Sequence, residues 1–598
     1  MSEDAPFEDS RRLTGANLYF DHAGAALETA PGLAFDEGVL QRWQGNIDRV
    51  RVALGWPTGA VARRVHATGA SLAFEAPADQ LYTATEANEW ALYVALGMRA
   101  GETPVDVDVS PRPHVAHFED ATALAQLRAM ATAEARPELR ELMQEAAARG
   151  IPAHADDEVL SMGEGEASQA WPVAALPARA GVPWHRLRAI PKAVVTGSNG
   201  KTTSVRLIAA MLRAHGLRAG YSSTDGLFVD GARVEAGDYS GPVGARTVLR
   251  DARVQAAVLE TARGGLLRRG LVASDARAAV VTNVAADHFG EYGIHDLDDV
   301  ARVKLTVAKA VAADGLLVLN ADDPTLVRHA TGAARTRIGW FALQLADAQA
   351  RGLPACGVRD GRLLLATTAT QHDLGPVAAM PLTVGGAAQY NIANIAAAAL
   401  AAHALGIEAD TIAAVLAQFG RSNADNPGRL QRWQLGDVGV LLDYAHNADG
   451  LRGLLGVAAG LRGGGRMGLL LGHAGNRLTA DFHALADVAA QARPDRVWLK
   501  DIGGDYLRGR ASGDVAAILR DALLAAGLPE AALPVCLDEA RAAREALGWA
   551  QPGDLLVLPV HEPVRREAVV ALLDRLQACA WRAGDPLPQD TQDPSDSE

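Results

Sequence analysis

The chain has 598 residues with a formal net charge of −14, 49% hydrophobic and 21% charged residues, room for about four domains by length alone. Its acidic, polar start (MSEDAPFEDSRR) is unlike a secretory signal, and no apolar run is long enough to span a membrane, so the expectation is a cytoplasmic protein with no membrane partner. The negative balance offers nucleic acid no overall attraction, and Cys356, Cys536 and Cys579 are too few and too far apart for a disulfide framework or a zinc site, which predicts reduced, buried thiols.

In chain order, residues 1 to about 10 look disordered, and a small α+β domain is expected through residue 155. Val105, Val107 and Val109 alternate with Asp106 and Asp108, predicting a half-buried strand, while 87–99, 119–132 and 136–149 carry helical spacing. His114, His117, Glu119 and Asp120 can be read as metal ligands; a strand end followed by an acidic first helical turn accounts for them as well and is preferred. Residues 156–190 turn rich in Gly, Pro and Ala with little periodicity, which predicts a linker or docking strap.

The stretch from Ala193 to Ser204 predicts a buried strand, a tight turn and the first turn of a helix. Gly197, Ser198, Asn199 and Gly200 form the turn, Lys201 is placed to meet phosphates, and the hydroxyl of Thr202, followed by Thr203, to meet a magnesium ion. A strict phosphate-loop pattern has glycine where this chain has Val195, so GSNGKTT is a shortened variant. Apolar runs at 256–259, 278–282 and 316–319 continue a β/α alternation, predicting a mainly parallel sheet over a domain at 191–425. After Asn426-Pro427-Gly428 a second open α/β sheet is expected over 426–584. Its predicted strands are 438–442, 467–471, 496–499 and 554–558, and its helices 450–461, 480–492 and 512–526. The acidic, Pro/Ser-rich tail 585–598 reads as disordered.

Glu260 ends the run 256–259, and Asp287 and His288 follow the run 278–282, so all three are expected in the crevice above the phosphate loop. Oxygen ligands suit magnesium, which takes few protein groups, and Thr202 with Glu260 makes a sufficient inner set.

GSNGKTT, the glutamate after the next apolar strand, VTNVAADH and NADDP resemble the ATPase domain of the Mur ligases, ATP-dependent amide ligases. TDGLFVDG, GDYSGPVGAR, LETARGGLLRRGL, NPGRL, DYAHNADG and DYLRGR resemble the Mur-like half of the cyanophycin synthetases, and residues 12–150 resemble their N-terminal module more weakly. That family carries an ATP-grasp domain between the two parts, where this chain has only 156–190. The resemblance implies a Mur-type P-loop ATPase domain and a Rossmann-like C-terminal α/β domain behind a small α+β domain that anchors substrate.

It further implies ATP and Mg2+ as cofactors, and catalytic or metal roles for Lys201, Thr202, Glu260 and His288. Lys304 falls where many Mur ligases carry a carbamylated lysine, an ordinary surface lysine being the alternative. Asn391 is expected beside the adenine, Asn394 next to it, with a helix-capping asparagine as the alternative; Arg429 and Asp443 are expected to hold ATP. The implied reaction joins an amino acid to an aspartyl or similar peptide or polymer acceptor through an acyl phosphate. A ligase for another acceptor, and a catalytically idle nucleotide-binding partner of a separate polymer synthetase, are the alternatives. Arg-adding family members carry variants of the strings that read Gly475-Asn476-Arg477 and Asp505 to Arg510 here; Asn476 and Tyr506 depart from the family spelling and leave the amine open, and a homo-oligomer stays open too.

Overall fold

The computed structural model describes residues 5–33, 35–98, 115, 118–286, 289–333 and 336–588. The chain divides into two compact units: Met1–Arg359 with Leu364–Asp373 and Ile395–Ile412, and Asp360–Leu363 with Leu374–Asn394 and Ala413–Glu598. The strand expected at 105–109, with His114 and His117, lies outside the described residues.

The first unit opens with four antiparallel strands in the order Phe7–Leu13, Gly24–Thr29, Gly69–Glu75, Val61–His66. Helices Glu37–Leu54 and Leu81–Ala95 cover them through Trp43, Ile47 and Trp90. The expectation of disorder up to residue 10 is corrected: Phe7–Leu13 is a strand. Its sequence FEDSRRL carries only two apolar residues, so alternation was illegible. What holds it is a partner far along the chain, since buried Arg11 donates to Glu28 at 2.7 Å across the pairing.

The stretch expected to be a linker is also folded. Ala153–Ala155, Val159–Met162 and Gln169–Pro172 make a three-stranded antiparallel sheet, and Leu160, Met162, Val182 and Leu187 pack on Leu139 and Leu142 of helix Pro137–Ala148. Strands of three and four residues are too short to show a period, which is why composition alone suggested a strap. One buried ion pair ties this small sheet to the main sheet of the unit. Lys192 Nζ lies 2.7 Å from Glu164, which also meets His154 Nε2 at 3.1 Å, all three side chains being buried.

Lys192 begins the central strand of the main sheet, Lys192–Thr196. Ala256–Glu260 and Ala276–Val281 flank it. Ala219–Ser223 extends the sheet on one side, and Val311–Asn320, Ile338–Gln344 and Ala355–Arg359 extend it on the other, all parallel. Gly226–Val229 and Ala232–Glu235 add an antiparallel margin. The central runs are apolar throughout because both faces are covered. The chain passes to opposite sides of the central strand, so a crevice opens beyond its carboxyl end.

In the second unit five strands run in the order Gln431–Leu435, Val438–Asp443, Leu555–Pro559, Met467–Leu471, Arg496–Leu499, parallel except the first pair. Successive residues feed opposite faces. Leu469, Leu471 and Val557 join one apolar cluster with helices Ala448–Leu461 and Thr479–Gln491, while Leu470, Leu556 and Leu558 join another with Glu539–Trp549 and Pro563–Ala578. The predicted elements here agree within two residues at each end. Cys356 and Cys536 are buried and Cys579 is exposed, contrary to the expectation that all three are buried. Among the described residues no helix is long and apolar enough to cross a membrane.

Candidate active site

The phosphate-loop stretch forms the strand Lys192–Thr196, the turn Gly197–Gly200 and the helix Lys201–Ala214. Gly200 is the helix N-cap in the left-handed region (φ 85°), and having no side chain it closes that helix end with no side-chain hydrogen bond. Gly197 is as strictly required: a Cβ there would lie 1.8 Å from Thr282 Oγ1. Lys201 Nζ donates to the carbonyls of Gly197 and Ser198 at 3.1 and 3.2 Å, so the ammonium is folded over the turn.

The residues that hold this turn lie in VTNVAADH and NADDP, strings that the resemblance picked out without giving these residues a role. Thr282 Oγ1 donates to Asn199 O at 2.5 Å, Asn283 Oδ1 accepts from Asn199 N at 2.9 Å, and Ala285 N donates to Ser198 Oγ at 2.9 Å. Behind them Asn320 donates to Thr282 O at 3.1 Å, and Asp323, the N-cap of helix Pro324–His329, accepts from Val284 N at 2.7 Å. VTN and NADDP thus form a scaffold for the loop, a role their side-chain chemistry permits but their spacing does not announce.

Thr202 Oγ1 donates to Glu260 Oε2 at 2.9 Å and lies 3.3 Å from Thr224 Oγ1, with Thr202 and Glu260 both buried. Next to them Arg206 pairs with Asp225 at 2.9 Å, which gives the TDG string a local function. Lys304, on helix Leu297–Leu305, is 3% exposed. A surface position for it is therefore ruled out. His288 and Asp287 lie outside the described residues. Arg263 of the ETARGG string is buried and paired with Glu291 at 2.5 Å.

Asn391, Arg429 and Asp443 belong to the second unit. The Asn391 amide donates to Leu382 O at 3.0 Å and accepts from Asn394 at 3.2 Å, both side chains being buried. Asp443 Oδ2 accepts from Leu430 N at 2.6 Å, and burial raises its pKa although the Arg429 charge opposes this. The Arg429 guanidinium lies 4.3 Å from the centre of the Tyr444 ring. Asn447 caps its own helix, its Oδ1 accepting from Gly450 N at 2.8 Å. The strings at 475–477 and 505–510 come together: Arg510 Nε donates to Gly475 O at 2.7 Å and Gly475 N to Tyr506 O at 2.8 Å.

A buried triad that the sequence did not disclose supports the DYAHN turn. Lys500 pairs with Glu539, His561 Nδ1 lies 3.1 Å from Lys500 Nζ, and His561 Nε2 lies 3.1 Å from Ala445 O. A carbonyl only accepts, so Nε2 carries the proton and Nδ1 accepts from the ammonium. Burial, with the Lys500 charge beside it, lowers the His561 pKa to about 4.

Family models match along most of this framework: the Mur ligase middle domain over residues 195–402 and the Mur ligase, glutamate ligase domain over 428–559. Cyanophycin synthetase of Crocosphaera subtropica is 36% identical over 391 residues, covering 64% of this chain and 44% of that protein, so the chain spans less than half the length of this relative. The UDP-N-acetylmuramoyl-L-alanyl-D-glutamate--2,6-diaminopimelate ligase of Gloeobacter violaceus is 31% identical over 379 residues, covering 62% of this chain and 72% of that one. Among solved structures, E. coli FolC in complex with DHPP and ADP aligns with a TM-score of 0.49 at 20% identity, over 65% of this chain and 89% of that chain. With two thirds or more of the diaminopimelate ligase covered at this identity, the chain belongs to the Mur ligase family.

Proposed function

We propose that this chain is an ATP-dependent carboxylate–amine ligase. The observation that carries the reading is the glycine-capped N-terminus of helix Lys201–Ala214 at the carboxyl end of the central parallel strand, where no side chain caps the helix and its positive end favours a phosphate. Lys201 adds a positive charge over the same turn. The buried oxygens of Thr202 and Glu260 fit a hard divalent cation such as Mg2+ that shares its remaining positions with phosphate and water. When bound, that cation supplies charge neutralisation at the phosphates.

In the reaction a carboxylate oxygen attacks the γ-phosphorus and ADP leaves; the amine then attacks the acyl carbon, phosphate departs and the amine loses a proton. The chain's part is to hold the phosphates and stabilise the growing negative charge, through Lys201 and the positive N-terminal end of helix Lys201–Ala214. Lys304 has a buried amine that carbon dioxide would convert into a carbamate, an anion able to join the metal set. His288 is assigned to the substrate side, and Asn391, Arg429 and Asp443 to nucleotide contacts, on the strength of the resemblance.

The acceptor follows the cyanophycin synthetase resemblance: an aspartyl peptide or similar polymer carrying free carboxylates, with an amino acid as amine donor. Between the N-terminal module and the phosphate loop the chain has only the 156–190 stretch, where no second nucleotide loop occurs. One site implies one ATP per bond on a preformed acceptor, and no polymer from free aspartate and arginine. Incubation with ATP, Mg2+ and amino acids, with and without aspartyl peptides, followed by phosphate release and mass spectrometry, tests this. A single adduct on the peptide is expected; alternating aspartate and arginine additions would overturn the one-bond reading, and no product with any acceptor would favour an idle nucleotide-binding partner.

A further inference from the structure

A cavity of about 1330 Å³ lies within the first unit, and none of Lys201, Thr202 or Glu260 lines it. It exceeds the roughly 300–1,000 Å³ of most small-molecule sites. Its lining includes the apolar side chains of Met130, Leu139, Met143 and Leu271.

Most charges around the cavity are spent on neighbours. Glu134 accepts from Tyr82 N and Thr83 N at 2.8 and 2.7 Å, Arg136 donates to three carbonyls at the C-terminal end of the preceding helix Asp120–Glu134, Lys309 pairs with Asp21 at 2.9 Å, and Arg12 with Asp157 at 2.8 Å. Arg246 is different. Its side chain is 14% exposed and its carboxylate neighbour, Asp156 Oδ2, stands 3.7 Å away, already held by Arg250 at 2.6 Å. Burial, together with the charges of Arg250 and Arg269, holds the Arg246 pKa below its usual value. A desolvated guanidinium crowded by two others and sharing one carboxylate has a planar donor fork to offer, and its geometry matches the two oxygens of a carboxylate or phosphate.

We propose that this cavity binds a small amphipathic molecule by its oxyanion, a carboxylate or a phosphate taken by Arg246, with the apolar stem against Met130, Met143 and Leu271. The site is separate from the phosphate loop and does not depend on the ligase reading.

Calorimetric titration of the full chain, without nucleotide, tests it with three probes of equal stem: hexanoate, hexyl phosphate and hexanol. At least one anion is expected to bind saturably and hexanol about ten-fold more weakly. The better anion identifies the headgroup as carboxylate or phosphate. Lys201→Ala is expected to bind as the wild type does, Arg246→Met to lose about ten-fold, and Arg246→Lys, which keeps charge but not the fork, to fall between. Equal binding of all three probes, undiminished anion binding by Arg246→Met, or loss of binding in Lys201→Ala would overturn the proposal. Should Arg246→Met fail to fold, Arg246→Lys decides: wild-type affinity there counts against the fork.

Discussion

Two strand–turn–helix units share one topology and differ in what they leave for a ligand. In the first unit Lys192–Thr196 passes through GSNG into Lys201–Ala214; in the second, Val438–Asp443 passes through Tyr444 to Asn447 into Ala448–Leu461. The first helix begins on a glycine, so no side chain caps its positive N-terminal end. The second begins on Asn447, whose side chain occupies one amide of that helix itself. The cap residue therefore separates a turn that no side chain caps from a self-capped one, although each follows a strand that pairs in parallel with a neighbour. The supports differ too. Neutral hydroxyl and amide groups of Thr282 and Asn283 hold the first turn, and the charged triad Lys500, Glu539 and His561 stands behind the second.

The largest effect is expected where the comparison is sharpest. Lys201→Ala should lower ATP-dependent phosphate release by about 10²–10³-fold while chemical denaturation shifts by no more than about 1 kcal/mol; ordinary turnover in that variant would remove the phosphate-loop assignment. The counterpart after Asn447 is Ala448, which brings no charge.

Gly197→Ala forces a methyl group into Thr282 and should cost about 1–3 kcal/mol in urea unfolding. ADP binding should be lost with it. Wild-type ADP affinity in a folded Gly197→Ala protein would show that the turn tolerates remodelling.

The supports predict opposite pH behaviour. His561 titrates at about 4 in the folded chain against an ordinary value of 6.5, so between these values the unfolded state holds the extra proton. Stability from the neutral ring is complete above 6.5 and drains away as pH falls toward 4. Glu539, held low by Lys500 and His561 against its burial, adds a loss of the same sign further down, below its ordinary value of 4.5. His561→Gln should flatten the upper part of this decline, measured by denaturation at stepped pH. An unchanged slope would exclude the triad as its source. The phosphate-loop scaffold has no titrating member among Thr282, Asn283, Ser198 and Asn199, and Gly197→Ala should leave the slope alone.

The smallest effect is the cap itself: Asn447→Ala should cost about 1 kcal/mol and Asn447→Gly a few tenths. If both were neutral, the Asn447 side chain would not be closing that helix end.

Much of this was legible in the chain because it is local. Buried strands such as Met467–Leu471 and Arg496–Leu499 declare themselves by short apolar runs between turn residues, and the phosphate loop by glycines at its two positive-φ positions. Phe7–Leu13 and the sheet at 153–172 stayed hidden, since the first depends on Glu28 and the second on a buried Lys192–Glu164 pair, neither of which leaves a period. The cavity at Arg246 was equally invisible: its walls come from segments more than one hundred residues apart.

The sequence by itself determined that a phosphate-type turn follows a buried strand, because glycine spacing, the lysine and the helix stripe all act within a dozen neighbouring residues. Only the tertiary structure decided which groups hold that turn, that Lys304 is buried, and that Lys500, Glu539 and His561 meet. Those contacts join residues that nothing in their own neighbourhoods constrains, and a charge becomes costly, or useful, only when folding removes its water.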